Sequence, residues 1–143
     1  MNKVILMPVD ISSMDLSDKA VAYADSMISA ENGVIKLLHV FPPMYSIMLK
    51  GMAYDTRKYE EQIVNDALEK MRLLARKFKT PIKRIEMEVR YGSIRDVVNN
   101  AVTEYGANII IIGARRPGIK TYILGSTAEE IMRYSQIPVL VIR

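Results

Sequence analysis

Four consecutive isoleucines, Ile109 to Ile112, run straight into Gly113, and no other feature constrains the fold of this chain as much. A stretch of β-branched residues without polar alternation fits a strand buried on both faces, near the centre of a parallel sheet. Parallel neighbours cannot be joined by tight turns; they need long crossovers, usually helices. The rest of the chain has that rhythm. Val4 to Val9, Val34 to Val40 and Val139 to Ile142 are further short apolar runs, each separated from the next by residues at helical spacing. Arg84 to Arg90 alternates Ile85, Met87 and Val89 with charged residues, as suits an edge strand covered on one side. The pattern predicts an α/β domain with an open parallel sheet and helices on both faces.

Helical stripes and their punctuation fill in the crossovers. Leu16, Ala20, Tyr23, Ala24, Met27 and Ile28 form the first apolar face, with Asp15 as the expected N-cap and Asn32-Gly33 as the stop. A long helix is expected from about Asp55 to Phe78, its stripe made by Ile63, Ala67, Met71, Leu74 and Phe78. The clearest helix follows Ser93 as N-cap, carries Ile94, Val97, Val98, Ala101, Val102 and Tyr105, and stops at Gly106. A last short one starts near Ser126 and is expected to turn Ala128, Ile131 and Met132 inward.

At 143 residues the chain is sized for one domain, residues 1–143, that can fold without a metal or disulfide. There is no cysteine, and the one histidine, His39, cannot form a zinc site alone. No stretch approaches the roughly 20 apolar residues of a membrane span. The N-terminal run is short and ends in Asp10 without a small-residue cleavage site, so a cytoplasmic protein is expected. The net charge of +4 is scattered and accompanied by no nucleic-acid-binding signature, so neither nucleic acid nor membrane is expected as a partner.

Three segments at expected strand ends could carry chemistry. Pro8-Val9-Asp10 closes the first strand, and Asp10 could accept hydrogen bonds from a ribose diol or simply cap the next loop or helix. Val40 closes the second, where its backbone could pair with an adenine edge or its side chain could be plain core. Gly113 to Thr127 leads from the fourth strand into the last helix, with Gly113 and Gly125 near its ends and Arg115, Arg116 and Lys120 within it. Glycine admits close approach of a phosphate, and a helix start favours an anion. Ser126 with Glu129, or Thr127 with Glu130, also reads as a capping box, which would turn the hydroxyl onto its own helix. His39, inside an apolar strand, reads as a satisfied core or rim histidine in preference to a catalytic base. The chain lacks the G-x-x-x-x-G-K-[ST] phosphate loop, the G-x-G-x-x-G fingerprint and the G-x-S-x-G elbow.

Taken together, Pro8-Val9-Asp10, Leu38-His39-Val40, Gly92-Ser93, the Gly113 to Ser126 loop and Pro138-Val139-Leu140-Val141 resemble the universal stress protein family over essentially the whole chain. Met7 to Asp10 and Leu16 to Ala20 are most like the enterobacterial F/G subgroup. The resemblance implies a Rossmann-like sheet of the adenine nucleotide α-hydrolase type, with strand order 3-2-1-4-5. It implies ATP, with or without Mg2+, at the switch point beside strand one: Asp10 on ribose, Val40 on adenine, and Gly113, Gly125, Ser126 and Thr127 on the phosphates. It also implies a homodimer through Val139 to Ile142, with a tetramer as a further assembly. The family's ATP loop is G-x2-G-x9-G-[ST]. Here Arg116 stands at the second glycine, and the span from Gly113 to Gly125 is one residue shorter. Arg115 and Arg116 could then meet phosphate with side chains, since guanidinium groups suit it.

Three functional readings result. The first is an ATP-binding regulator of stress response that acts through subunit and partner contacts. The second is a slow ATPase, or an enzyme transferring a phosphoryl or nucleotidyl group, though no catalytic residue can be named near the loop. The third is a nucleotide-free protein–protein interaction module. The apolar Met44, Tyr45, Ile47, Met48 and Leu49 could be a lid, an oligomer contact or packing over the sheet.

Overall fold

The computed structural model describes residues 3–11, 16–29, 32–42, 56–114 and 125–143. Five strands form one parallel sheet: β1 (Val4–Pro8), β2 (Val34–Phe41), β3 (Ile85–Tyr91), β4 (Ile109–Gly113) and β5 (Val139–Ile142). Their order is β3-β2-β1-β4-β5, as the resemblance implied. Among the described residues four α-helices join them: α1 (Asp18–Ser29), α2 (Thr56–Ala75), α3 (Ile94–Tyr105) and α4 (Ser126–Tyr134), with a short 3-10 turn at Ile82–Arg84 before β3.

The period of two along each strand divides the core into two layers. Ile5 and Met7 of β1, Ile35 and Leu37 of β2, and Ile111 of β4 face α1 and α2, where they meet Ala20, Ala24, Ile28, Ala67 and Met71. Leu6, Leu38, Ile110 and Ile112 face the other way, against Val98 and Ala101 of α3 and Ala128 and Ile131 of α4. The isoleucine run therefore serves both layers, and Ile110 and Ile111 have no exposed surface. Fully burying an aliphatic side chain contributes about 1.5–3 kcal/mol, so this strand pins the sheet to both helical layers.

Local signals explain most boundaries. Ser93 caps α3 by accepting the Asp96 N–H, and Gly106 ends it in the left-handed region at φ 64°. At the start of α1 the Ser17 hydroxyl accepts the Ala20 N–H. Ser17 is thus the N-cap in place of Asp15, which lies outside the described residues; helical phasing alone puts the start too early. The long helix ends at Ala75, not Phe78, and Phe78 packs from the following turn. That turn is tied to α1 by Asp25, whose carboxylate accepts the N–H groups of Lys79 and Thr80 and the Thr80 hydroxyl. Tyr23 and Met132, expected inward, are 45% and 47% exposed, because each lies at the margin of its helix's apolar stripe. Among the described residues no helix is long and apolar enough to cross a membrane.

Candidate functional site

The strand ends are uneven, and the unevenness makes the site. β1 pairs with β4 only through Leu6↔Ile110 and with β2 only through Pro8↔Leu38. On either side its neighbours run further: β2 and β3 stay paired to Phe41↔Tyr91, and β4 and β5 to Gly113↔Ile142. A notch therefore opens at the carboxyl end of β1, the place where open α/β sheets bind ligands.

Pro8 explains the early loss of β4. The Val34 N–H donates to the Lys3 carbonyl and the Val9 N–H to the Leu38 carbonyl, so odd-numbered residues of this segment turn their polar groups toward β2. Even-numbered ones face β4, as the Val4 carbonyl does in accepting the Asn108 N–H. Pro8 is even-numbered and has no N–H to give, so the ladder toward β4 cannot continue through it.

The same alternation identifies which backbone groups line the notch. Leu38 faces β1, so Val40, two residues on, also turns its N–H and C=O toward β1, beyond the last β1–β2 rung. On the opposite wall, Ile110 and Ala114 donate to Pro138 and Ile142 of the β5 side, so Gly113 between them faces the notch. A Cβ built on Gly113 would meet no atom within 4 Å. The fold thus has no steric need for glycine there.

The notch widens into a cleft of about 920 Å³, within the range of small-molecule sites. Pro8, Val9, Asp10, Val40, Gly113, Gly125, Ser126 and Thr127 all line it, so the structure brings together these eight of the residues singled out in the sequence. Arg115 and Arg116 lie outside the described residues, as do Lys120 and the Met44 to Leu49 stretch. His39, at 9% exposure, also borders the cleft; its Nδ1 donates to the Val9 carbonyl at 3.0 Å. It is a satisfied rim histidine.

The start of α4 corrects the capping-box expectation. Gly125 is the N-cap, no side chain closes the helix end, and Ser126 is its first residue. Glu129 is drawn instead into an ion pair with Arg133 one turn on, 3.0 Å away. The first intrahelical donor is the Glu129 N–H, to Gly125, so the N–H groups of Ser126, Thr127 and Ala128 precede the helix's own bonding. All three residues line the cleft. Such a helix start attracts anions.

Sequence reasoning missed Asp66 and Lys70, two charged residues of α2 that line the cleft beside Ile63 and Ala67. Positions 63, 66, 67 and 70 share one helical face, and the signal was the pair of charges interrupting an otherwise apolar stripe. Charge pairing is concentrated elsewhere, at the β3 edge. There Arg90 bonds Glu88 and Glu104, and the bond to Glu88 chiefly holds the guanidinium above its ordinary pKa.

The model of the Universal stress protein family matches residues 1–143. Universal stress protein G of Shigella flexneri is 43% identical over 143 residues, spanning 100% of both chains. Among solved structures, that of protein MJ0577 of Methanocaldococcus jannaschii aligns with a TM-score of 0.73 at 22% identity, covering 99% of this chain and 96% of that one. A universal stress protein in complex with cAMP aligns with a TM-score of 0.58 at 20% identity, covering 99% and 97%. At such identities these two structures bear on the fold alone.

Proposed function

The chain belongs to the universal stress protein family, and we propose that it is a cytoplasmic stress-response protein that binds an adenine nucleotide, ATP with or without Mg2+, in the cleft at the carboxyl ends of β1, β2 and β4. One observation carries the proposal. Two backbone positions, Val40 and Gly113, turn their polar groups into one notch from opposite walls, with Asp10 and a helix start also lining the cleft. Purine edges need paired donors and acceptors, ribose needs an acceptor, and phosphates need N–H groups. The notch offers each of these.

In this reading the residues take the roles that the resemblance implies, and the geometry is compatible with each. The N–H and C=O of Val40 pair with the adenine edge. The Asp10 carboxylate accepts from the ribose hydroxyls. The open space over Gly113 lets a phosphate approach the main chain, and the N–H groups of Ser126 and Thr127 receive phosphate oxygens. Arg115 and Arg116, outside the described residues, would add cationic side chains to this set if the resemblance carries over. Mg2+, when bound, would neutralise part of the triphosphate charge. The cAMP complex of a fold neighbour makes cyclic and linear adenine nucleotides the class to compare.

In this reading the protein acts by binding, its occupied state being sensed through a homodimer joined along the β5 edge or through partners. Val139 to Ile142 supports that assembly because it ends the sheet as an apolar edge. The proposal is tested by calorimetric titration of nucleotide-free protein with ATP, with and without Mg2+, and with cAMP. Saturable binding, weakened by Asp10→Ala and by Ser126→Ala, is expected. Folded protein that takes up none of them contradicts it, and hydrolysis faster than about 1 s⁻¹ would make the protein an enzyme instead.

A further inference from the structure

His39 occupies the place of a missing rung between β1 and β2. In a parallel ladder the bond from the Val9 N–H to the Leu38 carbonyl is succeeded by one from the Val40 N–H back to the Val9 carbonyl. The first bond is present at 2.8 Å. The second is not among the bonds of the described residues, and the Val9 carbonyl accepts from His39 Nδ1 at 3.0 Å instead. A carbonyl oxygen can only accept, so Nδ1 carries the hydrogen. The ring is held in that pose by packing: it meets Phe41 edge-on at 4.6 Å, and Phe41 stacks on Tyr91 at 5.2 Å.

We infer that His39 is a positioning residue for the cleft: its imidazole takes the Val9 carbonyl, stops the β1–β2 ladder one rung early, and so leaves the Val40 N–H turned to ligand and the Val9-Asp10 peptide fixed. The inference rests on the nucleotide reading for its purpose, but its structural half stands apart. A half-buried carbonyl that loses its donor is stabilised by taking another one from the protein. Without the imidazole, the nearest donor of the right parity is the Val40 N–H. Closing that rung removes the donor from the cleft and draws Asp10 toward β2. An ordinary core histidine, by contrast, would be replaceable by any residue that fills its volume.

Two variants separate these cases. His39→Leu fills space but has no donor, whereas the side-chain amide of His39→Asn can place an N–H where Nδ1–H stands. Amide hydrogen exchange, measured residue by residue without ligand, is the first readout. The Val40 amide should exchange more slowly in His39→Leu than in wild type, against unchanged protection at Leu6 and Ile35, and should return to the wild-type rate in His39→Asn. ATP titration is the second. Affinity should fall about tenfold in His39→Leu, the scale of one lost hydrogen bond, and stay within about threefold of wild type in His39→Asn. A His39→Leu protein with wild-type Val40 exchange and wild-type affinity overturns the inference, as does a folded His39→Asn protein impaired as badly as His39→Leu. Should wild type bind no nucleotide, the functional proposal fails, and Val40 exchange alone still decides whether His39 holds the rung open.

Discussion

Gly33 lies so close to Lys3 that a Cβ built on it would stand 2.6 Å from the Lys3 carbonyl oxygen and 2.5 Å from Ile28 Cδ1. This contact sits at the first rung of the β1–β2 ladder, where the Val34 N–H donates to the same Lys3 carbonyl at 2.9 Å. Glycine is required there by space. The Ile28 methyl is the end of a flexible side chain and can shift, but the backbone oxygen cannot move without disturbing the ladder.

Gly33→Ala should therefore destabilise the fold by about 1–3 kcal/mol, the usual cost of forcing an added carbon into packed structure. The check is the midpoint of urea unfolding, with the slope compared to confirm that the denatured state is unchanged. A variant as stable as wild type would show that the ladder yields more easily than this contact implies.

Gly113 makes the opposite case. Its added Cβ meets nothing, and its φ is not among the positive values, which among the described glycines occur at Gly92 and Gly106. Gly113→Ala should fold normally and gain up to about 1 kcal/mol from the reduced freedom of the unfolded chain. Its affinity for ATP should nonetheless drop, because the methyl occupies the space over the main chain that the proposal assigns to phosphate. Thermal unfolding and ATP titration, run on the same preparation, separate the two effects.

Much of this was legible in the sequence, for identifiable reasons. The isoleucine run, the alternation at Ile85, Met87 and Val89, and the Ser93 and Gly106 punctuation each depend on local chemistry that acts wherever it occurs. The less legible features all depend on what comes near in space. Pro8 is plain to see, but its missing N–H matters only because parity turns that side toward β4. Gly33 reads as a helix stop, whereas its contacts are with Lys3 and Ile28. Ser126 and Glu129 have capping-box spacing, yet Gly125 takes the N-cap position and Arg133 takes the carboxylate. Asp66 and Lys70 were hidden by lying on the same face as core residues. The partner of His39, thirty residues away in sequence, could not be read from pattern at all.

The β3 edge supplies a pH prediction. Lys36 contacts Glu86 and lies over the Tyr105 ring, 4.6 Å from its centroid. Burial lowers its pKa from the ordinary 10.5 and outweighs the pull of Glu88 in the other direction. Glu86 is more than half exposed, so solvent screens its attraction. Between the lowered value and 10.5 the folded chain binds fewer protons at Lys36 than the unfolded chain does, so stability rises with pH across that window. Wild type should gain stability relative to Lys36→Met as pH climbs through the alkaline range toward 10.5, and the check is urea unfolding of both proteins at stepped pH. No gain, or a loss, of wild-type stability relative to Lys36→Met over that range would mean that the ion pair, not burial, dominates at Lys36.

In the proposed complex, one nucleotide spans the notch from β2 to the start of α4. Amide chemical-shift mapping during titration with ATP and Mg2+ tests this most directly, because it reports position as well as binding. Saturable shifts should cluster at Asp10, Val40, Gly113, Ser126 and Thr127, on both walls and at the rim. Shifts confined to another surface, or none at all in folded nucleotide-free protein, would contradict the proposal.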